Sequence, residues 1–233
     1  MKNRIEYIYI EIKGRPPFVC YSGDMSENLA HEGMMENLPS WISLTYHQCK
    51  NCLLTPDTHP YCPMCLTLYP FFSYLSDVAS TEKLRITIKE VQFTTQIRLT
   101  AQESIPIILP YLAILSDCHH WRFNRWAYRY FSYSSDYESW VFKALSIALI
   151  RELTLNERLP DRKEIIGNVR RRLAGLKETV ESLIKRIRGV MEEDAGLNAL
   201  ISGASLVSLL AISADECIQG WAGEIRSAMS IEL

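Results

Sequence analysis

Alternation opens the chain. Ile5-Glu6-Tyr7-Ile8-Tyr9-Ile10-Glu11-Ile12 is β-branched and aromatic, with Glu6, Ile8, Ile10 and Ile12 on one face, which is the period-two pattern of a strand. Lys13-Gly14-Arg15-Pro16-Pro17 interrupts it and Phe18-Val19-Cys20-Tyr21 returns, so a hairpin is expected. Residues 23–37 are polar and read as a loop or short helix, after which Trp41-Ile42-Ser43-Leu44-Thr45-Tyr46 alternates again. Leu84-Arg85-Ile86-Thr87-Ile88 and Phe93-Thr94-Thr95-Gln96-Ile97-Arg98-Leu99 predict a second hairpin, with Leu84, Ile86, Ile88, Ile97 and Leu99 facing one core.

After this hairpin the period lengthens. Thr100 with Glu103 has the spacing of a capping box and opens a helix over Ser104 to Leu115, which Pro110 should kink or break. Ser135 with Glu138 repeats the capping pattern before Trp140, Val141, Ala144, Leu145, Ala148, Leu149 and Leu153, an apolar stripe at helical spacing. From Val169 the apolar positions are Leu173, Leu176, Val180, Leu183, Ile187 and Val190, whose alternating steps of three and four make a coiled-coil seam. The cover expected for that seam is an apolar helix near 196–213 of the same chain, with a second copy pairing through 169–190 as the rival.

Composition narrows the class. At 233 residues, 48% hydrophobic and 22% charged, the chain is an ordinary globular protein with no need to lean on a metal for its whole core. Its 25 basic and 27 acidic residues give a net charge of −2, so binding to nucleic acid or membrane must rest on a local patch. Residues 195–214 carry no charge and approach the length of a membrane span, yet Asn198 and four serines dilute them and no basic flank orients them, so a buried helix is favoured. The N-terminus lacks a cationic segment leading into an apolar run, and the seven cysteines suit a reducing compartment, so the expected location is cytoplasmic.

Four of those cysteines carry the main chemical signal. Cys49-Lys50-Asn51-Cys52 and Cys62-Pro63-Met64-Cys65 are two Cys-x-x-Cys pairs separated by nine residues, a spacing that can bring four thiolates to the corners of one tetrahedron around structural Zn2+. A redox dithiol wants a single such pair at a helix N-terminus, whereas these come doubled and are read as a loop after a strand. His47 and His59 could each replace one thiolate, although such residues are more often solvent-facing or second-row donors. Asp117-Cys118-His119-His120 gathers a thiol, two imidazoles and a carboxylate, but adjacent residues rarely converge on one point, which weakens a catalytic reading of Cys118.

Trp121 to Phe131 interleaves aromatic rings with Arg122, Arg125 and Arg129. Core filling ranks first for it, a protein-partner surface second, and stacking on nucleic acid through Trp121, Arg122, Arg125, Trp126 and Arg129 third. Between Arg162 and Arg188 nine basic residues face three acidic ones, which is ordinarily a solvated helix face.

The chain also resembles, over nearly its whole length, a bacterial family described as a domain of unknown function. The shared residues are Leu38-Pro39-x-Trp41, His47-Gln48-Cys49-x-x-Cys52-x-Leu54, Tyr61-Cys62-Pro63, the hairpin at 84–99, Ser116-x-Cys118, Arg129, Phe142-Lys143-Ala144-x-Ser146 and Asn198-Ala199-Leu200. The resemblance implies metal ligation by Cys49, Cys52, Cys62 and Cys118, with Cys65 a departure from the family, so Cys65 and Cys118 both stand as fourth ligand. His119 replaces the family's proline, and Arg129-Tyr130-Phe131 replaces its Arg-Phe-His, so no histidine role carries over.

The expected architecture is α+β: a small, mostly antiparallel sheet with a cysteine-rich zinc knuckle, covered by helices, over 1–158, followed by a helical hairpin over 159–233. The expected function is a non-catalytic, zinc-stabilised interaction or adaptor protein with a protein partner. A nucleic-acid-binding module using 121–131 and the basic helix 162–188 is the alternative, and a cysteine-dependent enzyme centred on Cys118 is third.

Overall fold

The computed structural model describes residues 5–21, 38–122, 137–155, 161–188, 216–221, 223–224 and 227. Four strands, β1 (Ile5–Ile12), β2 (Phe18–Tyr21), β3 (Lys83–Glu90) and β4 (Thr94–Thr100), form one sheet in the order β2-β1-β3-β4. Every neighbouring pair is antiparallel. With its helices the chain is α+β, and both hairpins are where the alternation places them.

The β1–β2 turn needs its glycine. Arg15 N–H donates to the Ile12 carbonyl at 3.1 Å, and Gly14 sits at φ +83°, where a side chain would be strained. Register then sorts the two faces: Ile8 opposes Ile88, Ile10 opposes Ile86 and Ile12 opposes Leu84, so the isoleucines of β1 and β3 stack on the inner face. Ile8, Ile10, Ile12, Phe18, Cys20, Leu84, Ile86 and Ile88 are all buried there.

Two helices supply the rest of that core. The first, α1 (Pro63–Leu75), is absent from the sequence expectations because Met64, Leu68, Phe71, Phe72 and Leu75 are apolar nearly all round and Pro70 lies inside. Pro63 in its first turn is the signal that was available, since proline's missing N–H costs nothing there. The ring of Phe71 lies 6.0 Å from that of Phe18, joining α1 to β2. The second, α2 (Ala101–Leu115), has the expected capping box: Glu103 N–H donates to Thr100 Oγ1 at 3.3 Å, and Thr100 N–H donates to Glu103 Oε2 at 2.8 Å. Of the expected kink or break at Pro110, the break does not occur, since the helix continues to Leu115.

A further correction concerns Trp41 to Tyr46. Its alternation is that of a strand, but Ser40–Ile42 is a single 3-10 turn and only Ser43 pairs, in an isolated antiparallel bridge with Tyr61. Burial of Trp41, Ile42 and Leu44, rather than a ladder, accounts for the pattern.

The chain divides into two compact units, Met1–Tyr133 with Glu178–Gly203, and Ser134–Lys177 with Ala204–Leu233. The first holds the sheet, α1, α2, the four-residue α3 (His119–Arg122) and the C-terminal part of α5 (Arg162–Arg188). The second holds α4 (Tyr137–Leu155), the N-terminal part of α5 and a helical stretch at 216–221, with the Phe142 and Trp221 rings 5.0 Å apart. Asp161 caps α5, its Oδ1 accepting from Glu164 N–H at 2.8 Å. The seam residues Val169, Val180, Leu183 and Ile187 are buried within the single chain. The cap at Ser135 and the expected partner helix 196–213 lie outside the described residues. Among the described residues no helix is long and apolar enough to cross a membrane.

Because Leu183 is 2% exposed, a carboxylate in its place would be buried without a partner. Leu183→Asp is therefore expected to cost roughly 3 kcal/mol or more, read as a lowered denaturation midpoint with no change in particle size by light scattering. A shift from dimer to monomer at unchanged stability would show that a second copy covers the seam.

Candidate metal and thiol centre

Main-chain bonds bring the two cysteine pairs together. Leu44 N–H donates to the Pro60 carbonyl at 2.9 Å and Cys62 N–H to the Ile42 carbonyl at 2.8 Å, which closes residues 45–59 into a loop with Cys62 at its base. Within the loop, His47 adopts φ +46°, an uncommon left-handed conformation for a side-chain-bearing residue, and turns the chain toward Cys49. Gln48 Nε2 donates to the Leu54 carbonyl at 2.9 Å and Cys52 N–H to the Cys49 carbonyl at 3.0 Å, so the first pair sits in a tight turn. That turn is tied to α5 by Lys50 N–H donating to Glu178 Oε1 at 2.7 Å.

The second pair is not in a loop, and here the expectation is corrected. Cys62 is the N-cap of α1 and Cys65 stands in its first turn, because Pro63 is suited to begin a helix. Cys65 is buried, while Cys49, Cys52 and Cys62 are partly exposed, and none of these four nor Cys118 is in a disulfide.

The thiols feel one another. The Cys65 thiol donating to Cys62 lowers the Cys62 pKa to about 6; burial opposes the shift, and the Arg186 guanidinium and the first-turn amides of Cys65 and Met64 assist it. Burial pushes the Cys65 thiol well up, with the Cys62 contact and charges on Cys62 and Cys49 adding. Cys49 is raised by burial and by Cys62 and Cys52, against a hydrogen bond with Ser182 and the Arg186 charge. Burial likewise raises Cys118 to about 12, with Cys62 and Cys49 contributing while the main-chain amides of His120 and Trp121 oppose. Five cysteines thus share one electrostatic neighbourhood, although among the described residues no three His, Cys, Asp or Glu side chains stand grouped to hold a metal ion.

At its centre is a residue of the basic helix whose sequence pattern predicts a solvated face. Arg186 is 1% exposed, and it donates through Nη1 to the Trp41 and Ser43 carbonyls, both at 2.7 Å, and through Nη2 to the Leu44 carbonyl at 3.1 Å. The available hint was the burial-side spacing of Thr179, Ser182 and Arg186, a polar stripe beside Val180, Leu183 and Ile187.

The flanking histidines divide. His47 and His59 are exposed; the first lies edge-on to Tyr46 with rings 4.7 Å apart, and the second pairs through Nδ1 with Thr58 Oγ1 at 2.9 Å. His119 and His120 have ring centroids 3.8 Å apart, and His119 Nε2 is 3.3 Å from the Asn51 carbonyl. Asn51 Oδ1, His119 Nδ1, His120 Nε2 and Trp121 Nε1 are buried without a hydrogen-bond partner. Burial, with the neighbouring His119, lowers the His120 pKa and favours its neutral imidazole. Trp121 is buried at 8%, as core filling requires; the side chain of Arg122 and residues 123–131, with Arg125, Trp126 and Arg129, lie outside what the structure describes.

The family described as a domain of unknown function (DUF6901) matches residues 21–227, and the chain belongs to it. No curated protein and no solved structure matches the chain.

In the metal-free protein, Cys62 is expected to be the first thiol alkylated, with a rate that rises with pH about a midpoint near 6. Mass spectrometry should find Cys118 unmodified at neutral pH, because its proton is held to about 12; a Cys62 midpoint near the ordinary thiol value would contradict the described environment. Arg186→Met should lower stability by about 3–5 kcal/mol, since two buried carbonyls and one partly buried carbonyl lose their donor. It should also move the Cys62 midpoint upward, because a nearby cation has gone, and thermal melts with the same alkylation assay read both effects.

Proposed function

We propose that this chain is a non-catalytic interaction protein whose cysteine loop is held by structural Zn2+, through Cys49, Cys52, Cys62 and either Cys65 or Cys118. The observation that carries the reading is that a main-chain bridge and the start of α1 bring two Cys-x-x-Cys pairs and Cys118 into mutual electrostatic range. Thiols are the donor set zinc prefers in closed sites, and such a site leaves no position for substrate. The unpartnered atoms of Asn51, His119, His120 and Trp121 beside the pairs support an arrangement that the described side chains leave incomplete. As they stand the sulfurs are not grouped as ligands, so binding would draw the loop tip and the start of α1 together. Zinc would then cross-link that loop to the core, and a reducing, cytoplasmic setting would keep the thiols available.

An enzyme centred on Cys118 has less support, because burial holds that thiol's proton where a nucleophile needs it lost. A second reading does have a specific observation behind it: Cys62-Pro63-Met64-Cys65 begins a helix, with one thiol lowered to about 6 and its partner raised. In that reading the Cys62 thiolate attacks a substrate disulfide, forming a mixed disulfide and releasing one substrate thiolate, which takes up a proton. Cys65 then loses its proton and attacks the Cys62 sulfur, releasing the second substrate thiolate and leaving a Cys62–Cys65 disulfide.

Metal analysis of the purified chain separates the two. The zinc reading expects one zinc per chain, loss of metal in Cys49→Ser and Cys62→Ser, and a lowered melting temperature with chelator. Cys65→Ser and Cys118→Ser, made singly, identify the fourth ligand by which one loses metal. Full zinc occupancy in Cys49→Ser would defeat the proposal, and disulfide reduction that persists in Cys49→Ser but vanishes in Cys62→Ser would favour the dithiol.

A further inference from the structure

The face of the sheet turned away from α1 and α2 carries its own chemistry. On β1, Tyr7, Tyr9 and Glu11 alternate with the buried isoleucines, and the register sets Tyr7 between Tyr21 and Lys89, Tyr9 between Val19 and Thr87, and Glu11 beside Arg85. Continuing across β4, Arg85 opposes Arg98, Thr87 opposes Gln96 and Lys89 opposes Thr94. The tyrosines of β1 are partly exposed and Tyr21 is 56% exposed, with the Tyr7 and Tyr21 rings 6.2 Å apart. Their row leads straight into cations: a groove of about 770 Å³ at the same end as Glu11 is lined by Lys13, Lys83, Arg85 and Arg98. Glu11 is the one acidic side chain lining it, and it is spent on Arg85 at 3.4 Å. Among the described residues neither Lys13 nor Arg98 is in an ion pair.

We propose that this face binds single-stranded RNA, with bases stacked on Tyr7, Tyr9 and Tyr21 and the backbone phosphates in the Lys13, Lys83, Arg85 and Arg98 groove. Four lining cations against Glu11, even with the Glu103 carboxylate in range of Lys83, leave a net positive patch on a chain of net charge −2, which is the local excess a polyanion requires. A patch of cations alone would suit any anion. The tyrosines make the difference, because side chains two residues apart on a strand are separated by about 7 Å, a step matched to successive bases of an extended strand. Stacking on aromatic rings of an exposed sheet is how single strands are held, and the exposed polar groups of Thr94 and Gln96 on the same face are suited to 2′-hydroxyls. The site shares no residue with the cysteine cluster, nor with 121–131.

The experiment is fluorescence anisotropy of the full chain with a labelled single-stranded RNA of about twelve nucleotides, its DNA counterpart and a polyglutamate peptide, over a range of salt. RNA binding should weaken with salt with a log–log slope of about −2 to −3, as expected for three or four phosphate contacts at roughly 0.7 each. Arg98→Gln and Lys13→Gln, both at exposed positions, should each make the slope shallower by about 0.7. Tyr9→Val keeps a strand-forming residue and should weaken RNA roughly five- to hundred-fold while leaving the slope unchanged; circular dichroism melts confirm that it folds. The proposal is overturned by no binding, by equal affinity for DNA, by a polyglutamate that competes as well as RNA, or by a folded Tyr9→Val that binds like the parent. It is also overturned if Arg125→Ala abolishes binding while Arg98→Gln leaves it intact.

Discussion

A guanidinium with 1% exposure has to be surrounded by acceptors, and Arg186 finds three within four residues in the carbonyls of Trp41, Ser43 and Leu44. Those carbonyls belong to the segment that leads into the cysteine loop, so the charge that needs satisfying and the loop that needs fixing are the same problem. The arrangement also has an electrostatic consequence. The cation acts on Cys49, Cys62 and Cys65 at once and favours the thiolate at each, the form in which sulfur binds metal or attacks a disulfide. Four thiolates around a divalent ion would carry a formal charge of about −2, and a buried arginine beside them would offset part of it. A neutral residue at 186 would remove both the clamp and the counter-charge.

The parts of the fold that depend on one local rule were legible in the sequence. Strict alternation in Ile5 to Ile12 and in Leu84 to Leu99 has one structural meaning when a face is buried, and the Thr100–Glu103 spacing satisfies orphan helix amides in one way. What misled was alternation without a ladder at Trp41 to Tyr46, where burial of Trp41, Ile42 and Leu44 mimics a strand. Helix α1 was hidden for the opposite reason: with Leu68, Phe71, Phe72 and Leu75 buried and Pro70 in its middle, it has no polar face to set a period. Arg186 was hidden among nine basic residues of one helix, and only its tertiary partners set it apart.

The cysteines show how far spacing alone reaches. Spacing makes Cys49, Cys52, Cys62 and Cys65 neighbours, but the position of the second pair at the start of α1 does not by itself separate a metal knuckle from a reactive dithiol. A helix N-terminus serves both, since its amides favour a thiolate whether that sulfur is to be a ligand or a nucleophile. The difference lies in the company each thiol keeps. A dithiol needs two sulfurs and an open approach, whereas here the Cys62 charge raises both Cys49 and Cys118, and the loop that carries Cys49 and Cys52 is tied down by Gln48, Glu178 and His119. Holding extra thiols in place serves a cross-link better than it serves exchange, which is why the structural reading takes precedence.

The sheet separates two duties by the parity of its strands. Residues at one parity of β1 and β3 are committed to the core beneath α1 and α2, and any change there is felt as packing. At the other parity Thr87 is buried and Tyr7 and Tyr9 are partly exposed, as strand residues with aromatic or β-branched character can be, but arginine at both Arg85 and Arg98, exposed and directly opposed, is not explained by strand stability. Opposing two arginines directly across neighbouring strands is unfavourable in itself. With Glu11 placed to compensate only Arg85, the repulsion around Arg98 is left in the free chain and would be relieved by a bound polyanion. The cost of keeping like charges together in the unbound state is therefore the physical argument that this face was shaped for something other than the fold.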